Sequence, residues 1–290
     1  MFKEYGEVYE NASLEKYNTY GIKTCCSYLV KPNSIDNLIL LLKKVESNNY
    51  SYFLLGGGSN VILPDNKFDG VVISLELLNN IEINGNMVSA LCGVKLSALA
   101  MACIDASLSG FEHIASIPGT LGGALYGNAG VKDHTIYDNV VSVEVIRDGK
   151  LIKLFKEDID VSYRHTSFKN SKDIIVKATF KLEDGNTSEM KEIVKESRVK
   201  RLNSQPLEYR NAGSTFKNPA NDYAGRLIEA VGLKGYNVND AEVSTKHANF
   251  IINKGNATSK DIKNLIKIIQ DKVLKEFNIK LELEQIIVEW

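Results

Sequence analysis

The sequence predicts an α+β protein of two parts, an α+β stretch over residues 1–185 and a smaller α/β stretch over 186–290. Three observations lead there: an amphipathic helix followed at once by an apolar strand, two hairpin signals further on, and a polar linker, Glu183-Asp184-Gly185-Asn186-Thr187, ahead of a run of helical patterns. A chain of 290 residues is long enough for two domains with substantial cores.

In order, Ser34 stands as a polar cap before Leu38, Leu41, Leu42 and Val45, whose spacing predicts a helix over 34–47. The apolar run Tyr52–Leu55 reads as a strand. Asn84-Gly85 within Ile81–Ala90 and Asp148-Gly149 within Val140–Phe155 predict hairpins, because these dipeptides accept the positive φ of a tight turn. Leu96–Leu108, rich in alanine and stopped by Gly110, predicts a helix able to approach a neighbour closely. Ile174–Leu182 reads as a strand with Val176, Ala178, Phe180 and Leu182 on one face. Met190, Ile193, Val194 and Leu202 mark one side of a charged helix, and Asp222–Val231 is a short helix closed by Gly232. Thr258 and Asp261 form a capping box for a helix with Ile262, Leu265, Ile266, Ile269 and Val273 on one face. Ile279, Leu281 and Leu283 alternate in a closing strand.

Composition excludes several classes. With 35 basic and 36 acidic residues there is no cationic excess to drive nucleic-acid binding. The longest apolar stretches, such as Ile117–Tyr126, fall short of the roughly 18 residues of a membrane span, and the first residues carry no apolar leader. The expectation is a cytoplasmic protein that handles small molecules, with no nucleic-acid, membrane or obligatory protein partner. Cys25, Cys26, Cys92 and Cys103 lack C-x-x-C spacing, and His113, His134, His165 and His247 form no helical ligand pair, so no metal is expected.

Two glycine-rich segments carry the chemistry. The first is Gly56-Gly57-Gly58-Ser59-Asn60, directly after a strand, where bare backbone N–H groups can turn inward around an anion while Ser59 and Asn60 add donors. It is neither a dinucleotide fingerprint, since strand and turn follow it, nor a P-loop, since no Gly-Lys-Ser/Thr follows. A plain tight turn explains it equally well. The second, Ile117-Pro118-Gly119-Thr120-Leu121-Gly122-Gly123-Ala124-Leu125-Tyr126-Gly127-Asn128-Ala129-Gly130, is uncharged, and a core helix would use larger side chains. Small residues in an apolar setting suggest backbone lying against a large flat ligand. Two such segments without Lys or Arg fit a diphosphate held by backbone dipoles beside a ring system.

At these residues the chain resembles the UDP-N-acetylenolpyruvoylglucosamine reductase family, flavoenzymes of peptidoglycan precursor synthesis. The resemblance runs through Asn18–Ile22, Tyr28–Val30, both glycine segments, Ser162–Arg164 with Ser167-Phe168, Gln205–Tyr209, Ala212–Pro219, Ala224–Glu229 and His247–Asn253. The short interval between Arg164 and Ser214 matches the family's shorter subtype. The chain departs from the family pattern at Lys23-Thr24-Cys25, at Asn239-Asp240 where Gly-Gly is common, and at Val131-Lys132-Asp133-His134.

The resemblance implies a two-lobed FAD-binding domain of the vanillyl-alcohol-oxidase/PCMH type over 1–185, with lobes 1–75 and 76–185, and a substrate-binding domain over 186–290 whose last strand returns to the active site. It implies non-covalent FAD, with NADPH as electron donor, held by Gly56, Gly57, Gly58, Ser59, Asn60, Ile117, Pro118, Gly119, Gly122, Gly123, Ala124, Asn128 and Ala129. It implies hydride addition to C3 of an enolpyruvyl ether, with Arg164 as the fixed cation, Ser214 as proton donor to C2, and a carboxyl from the closing strand. Alternation sets Glu282 and Glu284 on the same face, and the family's Leu-x-x-Glu selects Glu284, which must be protonated to donate. Tyr209, Lys217 and Asn218 are implied contacts to the nucleotide and its diphosphate. With no second dinucleotide fingerprint, NADPH and the sugar nucleotide are expected to react in turn. Two rivals use the same residues: a flavin oxidase or dehydrogenase of small alcohols or hydroxy acids, and a catalytically silent nucleotide-sugar binding protein.

Overall fold

The structure, a computed structural model, describes residues 1–131 and 133–290. The chain forms two compact units that interleave along it. Unit 1 comprises Met1–Glu10, Tyr28–Gly57 and Gly70–Val199, and unit 2 comprises Asn11–Ser27, Gly58–Asp69 and Lys200–Trp290. Five crossings therefore stand in place of a single boundary at 185. Each unit has its own apolar core, with Leu38, Val71, Leu99, Val143 and Phe180 in the first and Tyr20, Phe216, Leu227, Ile262 and Leu265 in the second.

Unit 1 is built on an antiparallel five-stranded sheet in the order Lys150–Phe155, Val140–Arg147, Ile174–Lys181, Met87–Leu91, Ile81–Asn84. Both expected hairpins form. Asp148 and Gly149 each take positive φ (50° and 70°) between paired Arg147 and Lys150, the geometry whose twist suits a two-residue loop. In the other hairpin Asn84 pairs with Met87, so the loop is Gly85-Asn86 rather than Asn84-Gly85. Helix α1 (Ile35–Ser47) starts where Ser34 Oγ accepts the Asn37 N–H at 3.1 Å and buries Leu38, Leu41, Leu42 and Val45 as its spacing demands. The strand Tyr52–Leu55 follows and pairs in parallel with Val71–Ser74.

Helix α2 (Leu96–Asp105) ends before Ser107 (φ 59°), earlier than expected, because Leu108-Ser109 leaves to pair with Asp184 and Glu183. The polar stretch after 182 is thus no linker. Its composition suits a solvated loop, but strand pairing and the packing of Gly185 on Ser109 and Met190 hold it in place. Helix α3 (Leu121–Gly127) and helix α4 (Thr187–Ser204) complete this run, and in α4 Met190 is buried while Leu202 lies exposed.

Unit 2 contains helix α5 (Ala224–Ala230), the antiparallel strands Asn237–Val238, Ala241–Val243 and Ile251–Asn253, and helix α6 (Ser259–Phe277). Thr258 Oγ1 accepts the Asp261 N–H and Asp261 accepts the Thr258 N–H, the reciprocal cap read from the sequence. Asp65 adds acceptors for the N–H groups of Ser259 and Lys260. Ile279–Leu283 does not form the expected strand; it is an extended segment with a single bridge from Leu283 to Phe216, and the pairing strand is Ile286–Ile287, parallel to Val61–Ile62. Among the described residues no helix is long and apolar enough to cross a membrane.

Candidate active site

In unit 1 the strand Tyr52–Leu55 delivers Gly56 and Gly57 against the second glycine segment. A methyl on Gly57 would sit 2.9 Å from the Gly119 Cα, and one on Gly56 would sit 3.0 Å from Thr120 Oγ1. The two turns therefore touch, and glycine is required where they do. Both glycines stay exposed, and among the described residues their N–H groups donate to no protein acceptor.

Ile117 and Pro118 lead into α3, which the sequence reading did not foresee. Gly122 lets this helix settle on the chain at Cys92, donating to the Cys92 carbonyl at 2.8 Å, while Leu121, Ala124 and Leu125 supply its buried face. Burial pushes the Cys92 thiol up to about 12, so it stays protonated. Gly123 is exposed with room for a side chain. Asn128 ends the helix in the left-handed region (φ 46°), and the Ala129 N–H returns to the Ala124 carbonyl. Asn128 Oδ1 is buried without a partner among the described residues. An exposed, side-chain-free backbone ledge with unspent donors, and no Lys or Arg on it, fits the dinucleotide of the expected flavin.

Arg164 sits beside this ledge. The strands Val161–Ser162 and His165–Thr166 form a hairpin whose two loop residues are Tyr163 and Arg164. Arg164 has φ 56°, a conformation that costs a non-glycine residue about 1–2 kcal/mol. Side chains hold it there. Its guanidinium donates to the Gly130 carbonyl at 2.9 Å, Lys169 Nζ donates to the Arg164 carbonyl at 2.8 Å, Asn128 Nδ2 donates to the Ser162 carbonyl at 2.8 Å, and Thr166 Oγ1 donates to the Tyr126 carbonyl at 2.8 Å. A strained residue so over-determined marks a position kept for its side chain.

Unit 2 holds the other expected residues. Gly58 (φ 62°) is fixed by packing, since a methyl there would lie 2.0 Å from the Tyr17 carbonyl oxygen. Ser59 is half-buried. Asn60 turns its amide toward the chain, donating to the Glu284 carbonyl at 3.0 Å. Ser214 is half-buried and opens a segment that runs antiparallel to the one bearing Glu284: the Glu284 N–H donates to the Thr215 carbonyl at 3.0 Å and the Lys217 N–H to the Glu282 carbonyl at 2.9 Å. The structure thus brings Ser214 and Glu284 onto neighbouring segments. It also separates the two carboxylates, because Glu282 is 74% exposed and paired with Lys217 Nζ at 3.3 Å, whereas Glu284 is half-buried.

Asn249, within the His247–Asn253 motif, clamps this segment: its Oδ1 accepts the Phe216 N–H at 3.0 Å, its Nδ2 donates to the Phe216 carbonyl at 2.8 Å, and its own carbonyl accepts the Thr215 N–H. His247 Nδ1 accepts the Asn249 N–H, which requires a neutral ring, and burial lowers its pKa. Asn218 is exposed and caps the start of α5 through the Ala224 N–H, while Tyr209 is exposed beneath Lys254.

The departures from the family pattern have local explanations. Asn239 takes the left-handed conformation (φ 49°) that glycine would otherwise supply, and its amide donates to Asp261. Lys23 Nζ donates to Asn256 Oδ1. Of the third departure, Lys132 lies outside the described residues, and His134 stacks on His113 at 3.8 Å. Arg201, in α4, belongs to none of the sequence motifs. Its guanidinium is half-buried, burial lowers its pKa, and among the described residues it donates to Gln205 and to no carboxylate. One arginine in a charged helix gives no signal of this in the sequence.

Comparison with known proteins matches two successive stretches of the chain. Residues 26–154 match the FAD binding domain, and residues 205–288 match the C-terminal domain of UDP-N-acetylenolpyruvoylglucosamine reductase. The chain is similar to the UDP-N-acetylenolpyruvoylglucosamine reductases of Clostridium novyi, at 40% identity over 97% of this chain and 92% of that one, and of Carboxydothermus hydrogenoformans, at 41% over 96% and 92%. Its structure is similar to the crystal structure of the Thermus caldophilus enzyme of that name, with a TM-score of 0.83 and 30% identity over 98% of both chains.

Proposed function

Because the chain belongs to the UDP-N-acetylenolpyruvoylglucosamine reductase family, we propose that Arg164, Ser214 and Glu284 carry the reduction of UDP-N-acetylenolpyruvoylglucosamine to UDP-N-acetylmuramate. The protein is an FAD-dependent oxidoreductase of peptidoglycan precursor synthesis, with NADPH as electron donor. FAD, when bound, would supply the hydride for C3 of the enolpyruvyl group, with NADPH as its source. Gly56, Gly57, Gly119, Gly123 and the backbone around Asn128 would hold that cofactor without covalent attachment.

Addition at C3 leaves negative charge on C2 and its carboxylate. Arg164 faces that charge with a planar guanidinium that cannot lose its proton, which a lysine would not reproduce. Ser214 gives its hydroxyl proton to C2. Glu284, protonated, donates a hydrogen bond to the same charge. Donors fixed in this way are typically worth about 10²- to 10³-fold each in rate. Lys217 leaves Glu282 to meet the diphosphate together with Asn218, with Tyr209 toward the nucleotide. The enzyme acts in the cytoplasm on small molecules alone.

The observation that supports this reading most directly is the pairing of Thr215 with Glu284, which sets a hydroxyl and a carboxyl on adjacent backbone. The test is an absorption spectrum of purified protein before and after NADPH. A flavin spectrum that bleaches without sugar, and returns when the enolpyruvyl sugar is added, is expected. Ser214→Ala should keep the bleaching and block the return; equal loss of both steps would make Ser214 structural.

A further inference from the structure

We propose that Gln285 is a positioning residue that sets Ser214 against Glu284, at the centre of a buried relay that starts at the Tyr20 hydroxyl. This rests on the assignment of Ser214 and Glu284 given above. Tyr20 and Gln285 are 0% and 3% exposed. The Tyr20 hydroxyl donates to Gln285 Oε1 at 3.0 Å, and Gln285 Nε2 donates to the carbonyls of Ala212 and Gly213 at 3.2 and 3.1 Å. The amide thus spends both donors and its acceptor, and burial raises the Tyr20 pKa so that its proton stays in place.

Position gives this relay its purpose. Gln285 follows Glu284 directly, so fixing its side chain fixes the peptide that carries the carboxyl. Ala212 and Gly213 directly precede Ser214. Gly213 has φ 76° and open space around it, so packing alone does not hold the approach to Ser214. Asn211 Oδ1 accepts the Gly213 N–H at 3.0 Å and steadies the turn from its own side. Beyond Ser214, Thr215 is held by Glu284 and Asn249. Ser214 is therefore bracketed, and the bracket on its N-terminal side is tied to the residue after Glu284. An apolar side chain at 285 would leave the Tyr20 hydroxyl and the Ala212 and Gly213 carbonyls without this partner; the amide satisfies them and adds a fixed geometry between two segments.

The test compares Gln285→Met, which keeps length and volume, Tyr20→Phe, the double variant and Ser214→Ala, all as FAD-loaded enzyme. For Gln285→Met, bleaching by NADPH should keep its rate, while reoxidation at saturating enolpyruvyl sugar should slow roughly 10- to 100-fold. The half-saturating sugar concentration should stay unchanged, and amides 212–216 should exchange hydrogen faster. Tyr20→Phe should shift both readouts the same way by less, and the double variant should be no worse than Gln285→Met, since one relay is being broken twice. Reoxidation unaltered, or both half-reactions falling together, overturns the proposal. If Gln285→Met does not fold, Tyr20→Phe decides by the same criterion. Normal reoxidation in Ser214→Ala would instead sink the Ser214 assignment, whereas a block there with intact reoxidation in the relay variants sinks this inference alone.

Discussion

Arg164 and the pair Ser214–Glu284 are held by opposite means. Arg164 sits at the tip of a two-residue loop in a conformation few side chains adopt, kept there by single hydrogen bonds from Lys169, Asn128 and Thr166 and by its own guanidinium. Ser214 and Glu284 lie on paired backbone clamped by the buried amides of Asn249 and Gln285. The first arrangement places a charge and leaves it separable from the core. The second makes the segment bearing the Ser214 hydroxyl part of the core, so that disturbing its clamps is expected to cost stability, and disturbing Arg164 to cost less.

The largest expected effect tests that contrast. Asn249→Leu strands the Phe216 N–H and carbonyl, each costing about 1–3 kcal/mol when buried and unpaired, so chemical denaturation should show a loss of several kcal/mol. A loss below about 1 kcal/mol would erase the contrast. At Arg164 the effect on stability is smaller and has a signature: Arg164→Gly should be more stable than Arg164→Ala by roughly 1 kcal/mol, because glycine accepts the positive φ without penalty, while both lose the reoxidation step alike. Equal melting of the two variants would mean that the loop relaxes once the guanidinium is gone. The smallest effect concerns acid. His247 has a lowered folded pKa, from burial first, then the Lys234 charge, opposed by Glu229 and its own backbone bond. The unfolded chain takes the proton more readily, so stability conferred by the neutral ring is present above about pH 6.5 and declines as pH falls below it. Protonation also ends acceptance from the Asn249 N–H. Melting temperature followed from pH 7.5 to 5 should fall more in the wild type than in His247→Phe, and parallel curves would remove His247 from the clamp.

Local signals were legible in the sequence because their physics is local. Ser34 and the Thr258–Asp261 box cap helices within one turn, Asp148-Gly149 fixes its own loop, and the 38–41–42–45 spacing buries the face it names. The family motifs bring Arg164, Ser214 and Glu284 into view. What the sequence concealed depends on distant partners. Glu183-Asp184 is polar and reads as a loop until Leu108-Ser109 pairs with it. Glycines at 122 and 123 argue against a helix until Cys92 supplies the surface that needs Gly122. Alternation at Ile279–Leu283 promised a strand, but its neighbour, Phe216, offers a single bridge. The sequence offers Asn60 as a donor to an anion, but its amide is spent on the Glu284 carbonyl.

The relay from Tyr20 to Gln285 joins residues 265 positions apart. On a ribosome the tyrosine waits for almost the whole remaining message to be read before its hydroxyl finds Gln285, whereas Asn11–Ser27 and Gly58–Asp69 meet each other sooner, Thr19 donating to Gly58 and Thr24 to Asn66. Such distant closure slows folding, so the core that buries Tyr20 is completed only when the last residues of the chain arrive.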